Sequence, residues 1–262
     1  MIPTFELWGR TFSVYQIMSL CGIFAAGGYA CRSAKRRGKS DNDMIILLLV
    51  SAIGVVIGMH LLYGLTNLPL ALRIVRTPGT VTDFRSFLQA AVMIFGGAVF
   101  YGGLLGGLLA GFLYCRWKHM DAALWSDLAA PAIPLFHFFG RIGCFLGGCC
   151  FGIPWKPGFV YRYSLIPEAN GVPRFPIQLV EAGWNLCLFA VLALLQRKGK
   201  CRGHLLQLYL LGYAPARFLF EFFRGDRLRG IWFGLSTSQW ISLVLILIVT
   251  VRLLWDRMHS RT

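Results

Sequence analysis

The residues best suited to chemistry lie in one stretch, Phe139-Gly140-Arg141-Ile142-Gly143-Cys144-Phe145-Leu146-Gly147-Gly148-Cys149-Cys150-Phe151-Gly152. An arginine and three cysteines stand among glycines, directly after an apolar run. A guanidinium near hydrocarbon costs between about 2.5 and more than 10 kcal/mol, depending on the measure, so it requires a partner. Glycines let backbone or ligand approach closely. A cationic, glycine-lined pocket at a membrane interface suits an anionic lipid headgroup. The thiols beside it could act as a nucleophile or carrier, or pair as a disulfide of Cys144 with Cys149 or Cys150.

A second constellation is Arg217-x-x-x-Glu221-x-x-Arg224. The i, i+4 spacing puts Arg217 and Glu221 on one helix face, with Arg224 three positions on. One carboxylate cannot neutralise two guanidinia, so the stripe is more than a self-contained ion pair, and ionisable groups inside spans mark functional sites. Asp127 and His137 flank Pro131 and Pro134, where missing donors free carbonyls and make a kink. Gln178 and Glu181 open another apolar run after Pro176, a helix start in which Glu181 suits the dipole. His60 stands alone near the end of an apolar run and reads as hydrogen-bonded packing. Tyr101 precedes Gly102, Gly103, Gly107 and Gly111; the last three recur every four positions and leave one helix face bare for a neighbour. The Tyr101 hydroxyl needs a partner and could offer a hydrogen bond to bound lipid.

These groups need elements that hold them inside a bilayer, and composition supplies them. The chain of 262 residues is 56% hydrophobic and 14% charged, with mean hydropathy +0.62. Soluble domains carry about 25% charged residues. The expected fold is therefore all-α and polytopic, a single domain over residues 1–262. The apolar runs are Tyr15–Tyr29, Met44–Leu65, Ala90–Tyr114, Ala122–Phe139, Ile177–Leu195, His204–Phe223 and Ser238–Leu254, which predicts about seven transmembrane helices at ~20 residues each. Basic residues cluster after the first, third, fifth and last runs: Arg32 to Lys39, Arg116 and Lys118, Arg197 to Arg202, and Arg252, Arg257 and Arg261. The positive-inside rule then places the N-terminus outside and the C-terminus in the cytoplasm. The net charge of +15 sits at span ends, as insertion requires, which argues against nucleic acid and for anionic lipid. No signal-peptide cleavage pattern is present, so the first span is expected to stay.

Cys21, Cys31, Cys115, Cys187 and Cys201 are scattered and read as small apolar filler. Neither paired C-x-x-C elements nor an H-x-x-E-H pattern occurs, so spacing predicts no metal and no cofactor.

Taken in order, the motifs resemble those of the prolipoprotein diacylglyceryl transferase family of bacterial inner-membrane enzymes. The resemblance runs through Tyr15, Tyr101-Gly102-Gly103-Leu104, Asp127 with Ala130-Pro131, and Gly140-Arg141-Ile142-Gly143. It continues through Pro176-x-Gln178-Leu179-x-Glu181-Ala182, Arg217-x-x-x-Glu221-Phe222-Phe223-Arg224 and Gly234-Leu235-Ser236-x-x-Gln239-Trp240. It implies a seven-helix, multi-pass fold with a site open to bilayer and periplasm. It also implies transfer of diacylglyceryl from phosphatidylglycerol to the lipobox cysteine thiol of a preprolipoprotein, with glycerol phosphate released. Arg141 would then hold phosphate, with Arg224, Gly102 and Gly103 beside it. Arg217 and Tyr101 would act in catalysis, Glu221 would orient Arg217, and Tyr15 and Gln178 would position the headgroup.

The departures fall at the chemistry. Cys144 and Gly147 stand where the family signature has asparagines, Cys149 where it has glutamate, Tyr101 where it has histidine, and Phe175 where histidine often precedes Pro-x-Gln. A phenol titrates near 10 and an imidazole near 6.5, so Tyr101 is a poor base for a thiol at neutral pH. Two alternatives follow: a family member with another acceptor or a cysteine-based step, and a non-catalytic lipid-binding membrane protein.

Overall fold

The computed structural model describes residues 3–259 except 8, 78, 80, 81 and 227–230. Arg261 lies outside the described residues, as does the side chain of Arg257. A short hairpin, β1 (Thr4–Leu7) with β2 (Arg10–Ser13), leads into α1 (Val14–Arg36), α2 (Asp41–Thr66), α3 (Leu68–Arg76), α4 (Phe84–Phe95) and α5 (Phe100–Trp117). Then come α6 (Ala122–Ala129), α7 (Ala132–Gly147), β3 (Pro154–Val160), β4 (Pro173–Arg174), α8 (Ile177–Arg197) and α9 (Leu205–Phe220). The chain closes with β5 (Ile231–Trp232), β6 (Leu235–Ser236) and α10 (Thr237–His259). It divides into two compact units, Met1–Lys39 with Ala123–Thr262, and Ser40–Ala122.

The all-α, polytopic expectation holds. Among the described residues, five helical segments are long and apolar enough to cross a membrane: α1, α2, α6 with α7, α8 and α10. The pair α4 and α5 makes a sixth if a 94° bend is counted within one span. Two differences from the expected seven have physical reasons. The run predicted as one span over Ala90–Tyr114 breaks at Gly96 to Val99, where α4 ends and α5 begins. His60 Nδ1 lies 2.8 Å from the carbonyls of both Phe95 and Gly97 and supplies a donor to the groups the break frees. The run at His204–Phe223 forms a 16-residue helix followed by a single 3-10 turn, Glu221–Phe223, and Pro215 inside it removes one backbone donor. Sixteen residues rise only about 24 Å, short of a hydrocarbon core of ~30 Å.

In the unit of residues 40–122, α2 and α5 pack backbone to backbone. A side chain on Gly58 would meet the Gly102 carbonyl and the Cα of Gly106; one on Gly102 would meet the Gly58 carbonyl and Leu62. Gly103, Gly107 and Gly111 face Val55, Ser51 and Leu47 of the same helix, so the expected small-residue face is used for packing. Gly58→Leu is expected to lower stability by about 3 kcal/mol. Gly28→Leu, where nothing lies within 4 Å, serves as the control. Thermal unfolding in detergent compares them, and equal midpoints would remove the α2–α5 contact as a determinant.

In the larger unit, α1 packs on α7 and α7 on α8, with α9 against α8 and α10. Asp127 in α6 accepts hydrogen bonds from the backbone N–H groups of Gly203 and, at 2.8 Å, Leu205. It thus caps the start of α9, which has no side-chain cap from His204. Gln196 of α8 donates to the Asp127 carbonyl at 2.7 Å and accepts from Tyr29 and Ser33 of α1. Asp127→Ala is expected to cost about 1–2 kcal/mol, as for a lost helix cap, read as a lowered unfolding midpoint in detergent. An unchanged midpoint would exclude the capping role.

Candidate active site

Within the larger unit, the starts of α1, α8 and α10 and the ends of α7 and α9 share one end of the bundle, and the basic loops after α1 and α8 share the other. At the first end, Glu181 is the meeting point of three guanidinia. Arg141 Nε lies 2.5 Å from Glu181 Oε2, and Arg217 Nη1 and Arg224 Nη1 lie 3.4 and 4.0 Å from Oε1. Among the described residues, each arginine but Arg141 has a second acid: Arg217 Nη2 is 2.8 Å from Glu221 Oε2, and Arg224 forks onto Asp226 at 2.8 and 3.0 Å. These side chains are all buried except that of Asp226, which is about 18% exposed. The bundle thus encloses three arginines and three carboxylates on the most costly ground for charge, which only near-complete pairing makes tolerable.

Local sequence explains the placement. Arg141 leaves the last two turns of α7, whose far side carries Gly143 against Tyr15 of α1. Glu181 sits in the second turn of α8, and Asn185 one turn on donates back to its carbonyl at 2.8 Å. Arg217 is near the end of α9, and Arg224 follows the 3-10 turn. The segment after α7 fixes Arg224: Ile153 N–H donates to the Phe223 carbonyl and Gly225 N–H to that of Phe151. Ser236 and Gln239 form a reciprocal cap at the start of α10, at 2.8 and 3.2 Å, and Ser238 Oγ accepts weakly from Arg217 Nη2 at 3.5 Å. A narrow cavity lined by Arg141, Glu181, Asn185, Tyr213 and Arg217 measures about 10 Å³, the room of one water.

The expected site residues divide into groups. Arg141, Arg217, Glu221 and Arg224 come together. Gln178 is fully buried beside them, but its amide nitrogen is committed to the Cys149 carbonyl at 2.8 Å and to the Tyr161 hydroxyl at 3.0 Å. Tyr161, in the loop between α7 and α8, has its hydroxyl pushed up to about 12, chiefly by burial. Tyr15 is 43% exposed at the start of α1. Cys144, Cys149 and Cys150 have their sulfurs within 4.8 Å of one another. Hydrogen bonds from Cys144 and Cys149 hold the Cys150 thiol below its usual range against the opposing effect of burial, with help from Arg224 and Arg141. Tyr101, Gly102 and Gly103 belong to the other unit, on α5, with the two glycines turned toward α2.

Sequence reading missed Glu181 as the hub, taking it for a capping residue as readily as a functional one. The signal was an acid three residues after a buried glutamine at a helix start. Asp226, which anchors Arg224, was also missed. His137 packs its ring on Tyr213 at 5.3 Å and hydrogen-bonds Asn185, so it supports the hub from behind.

A family model described as prolipoprotein diacylglyceryl transferase matches residues 3–255. The phosphatidylglycerol–prolipoprotein diacylglyceryl transferase of Clostridium tetani is 34% identical over 245 residues, 93% of each chain. That of Idiomarina loihiensis is 33% identical over 93% of this chain and 88% of its own. That of Bordetella bronchiseptica is 32% identical over 89% and 86%.

Proposed function

The chain belongs to the prolipoprotein diacylglyceryl transferase family, and we propose that it moves a diacylglyceryl group from phosphatidylglycerol to the lipobox cysteine thiol of a preprolipoprotein in the bacterial inner membrane. The observation that carries this reading is the convergence of Arg141, Arg217 and Arg224 on Glu181. Planar guanidinia suit phosphate oxygens by paired, charge-assisted hydrogen bonds. The Glu181 carboxylate stands where such an anion would be held, and the cavity is too small for a headgroup until the side chains part. A phosphodiester entering would take over Arg141 and part of Arg217, while Glu221 and Asp226 keep Arg217 and Arg224 aimed.

In the transfer, the acceptor sulfur bonds to the glycerol carbon, the carbon–oxygen bond to phosphate breaks, and glycerol phosphate leaves with its charge met by Arg217 and Arg141. The acceptor thiol must first lose its proton. Tyr15 and Gln178 border the approach. With the basic loops in the cytoplasm, the arginine end of the bundle faces the periplasm.

The test is a lipidation assay with the purified protein, phosphatidylglycerol vesicles and a lipobox peptide, read by mass spectrometry. The expected result is peptide heavier by one diacylglyceryl group. A folded, monodisperse protein that leaves the peptide unmodified overturns transfer. A second reading, lipid binding without turnover, is favoured by the phenol of Tyr101 in place of an imidazole, and co-purified phosphatidylglycerol without product would select it.

A further inference from the structure

The three cysteines after Arg141 do more than fill space. Cys144 lies in the last turn of α7, and its carbonyl accepts both the backbone N–H of Cys149 at 3.1 Å and the Cys149 thiol at 3.8 Å. Gly148 then turns left-handed at φ 72°, and Cys150 does so too at φ 54°. A β-carbon makes that conformation unfavourable, and such residues gather where a site needs them. The return brings the Cys149 and Cys150 sulfurs back over Cys144, all within 4.8 Å. Surrounding bonds fix the loop: Gln178 holds the Cys149 carbonyl, Ser164 Oγ donates to that of Gly148 at 3.0 Å, and Arg174 Nη1 to that of Gly152 at 3.2 Å. Apolar filler requires neither convergence nor a strained cysteine, and the other five cysteines are scattered among other elements.

We propose that Cys144, Cys149 and Cys150 form a three-thiolate site for one thiophilic divalent cation of the zinc type. Three sulfurs at ~2.3 Å from a shared centre stand about 4 Å apart, close to the present spread of at most 4.8 Å. Each S–H gives its proton to solvent as its sulfur–metal bond forms, and no electron is transferred. Three thiolates and a divalent cation leave one negative charge. Arg141, Arg217 and Arg224 are already matched by Glu181, Glu221 and Asp226. Arg141 and Arg224 remain the cations that act on the Cys150 sulfur, and Arg174, 8% exposed and over the Phe151 ring at 4.2 Å, braces the loop through the carbonyls of Gly152, Glu168 and Ala169.

Three protein ligands leave a fourth position open, as in zinc sites that bind substrate. On the transfer reading proposed above, that position takes the acceptor thiol, whose proton passes to solvent as sulfur meets metal. This answers the weakness of Tyr101 as a base. The binding site itself does not depend on that reading.

The experiment titrates the reduced, full-length protein in detergent with cadmium chloride and follows the ultraviolet sulfur-to-cadmium absorption. One equivalent is expected to saturate the band, and zinc to displace it. A variant with Cys21, Cys31, Cys115, Cys187 and Cys201 all changed to alanine keeps the band. Cys149→Ala and Cys150→Ala each weaken binding at least tenfold while circular dichroism stays unchanged. The proposal is overturned by a unmutated protein with no saturable band, by a band that survives in Cys149→Ala, or by an intact mass two hydrogens light, which marks a disulfide. Cadmium bound without peptide lipidation would refute transfer and leave the site standing.

Discussion

Glu181→Ala strips the shared carboxylate from three guanidinia and is expected to be the most damaging single change in the larger unit. Breaking a buried ion pair by removing one partner costs about 3–5 kcal/mol, because the remaining charge stays buried. Arg141 suffers most, since Glu181 is its only carboxylate among the described ion pairs, at 2.5 Å. Arg217 and Arg224 keep Glu221 and Asp226. Glu181→Gln retains shape and removes only the charge, so its loss isolates the electrostatic part. The placeholder role adds a signature that a merely structural acid lacks. Inorganic phosphate or glycerol phosphate should raise the unfolding midpoint of Glu181→Gln by several degrees more than that of the unmutated protein, since the anion fills the vacated place. Equal shifts in both proteins would reduce Glu181 to a structural counter-ion.

Arg141→Ala and Arg217→Ala are each expected to lower lipidation by about 100- to 1,000-fold, the loss typical of a removed donor to transition-state charge. The two differ in what they leave behind. Arg217→Ala removes the 2.8 Å ion pair with Glu221 and the contact to Ser238, whereas Arg141→Ala leaves Glu181 with Arg217 and Arg224. Arg141→Lys keeps the charge and loses the planar fork, so it should recover only part of the activity. Peptide lipidation at saturating phosphatidylglycerol measures all three. Arg141→Ala working at the unmutated rate would detach the arginine cluster from the reaction.

Much of this was legible before any fold was known. The spans followed from apolar runs because hydrocarbon tolerates so few charges, and α1, α2, α8 and α10 lie where the runs put them. Arg217 and Glu221 were predicted on one face by their spacing, and they pair at 2.8 Å. The break between α4 and α5 was not legible, because Gly96 and Gly97 are as compatible with an apolar helix as with its end. His60 and the Phe95 ring packed over Gly64 settle it from another helix.

What the sequence by itself determined was a bilayer-spanning chain with three arginines too costly to bury idle, in an order of motifs that the family shares. Only the tertiary structure decided which acid would answer them. Glu181 lies 36 residues from Arg217 and still further from Asp226's end of the chain, so no helical period links it to its partners. The same holds for Cys144, Cys149 and Cys150. Their spacing matches no metal motif, but the left-handed turns at Gly148 and Cys150 fold the backbone back on itself. Hydropathy is a property of a segment and can be read along the chain. Convergence of charge and sulfur depends on how helices pack, and it appears only once they have.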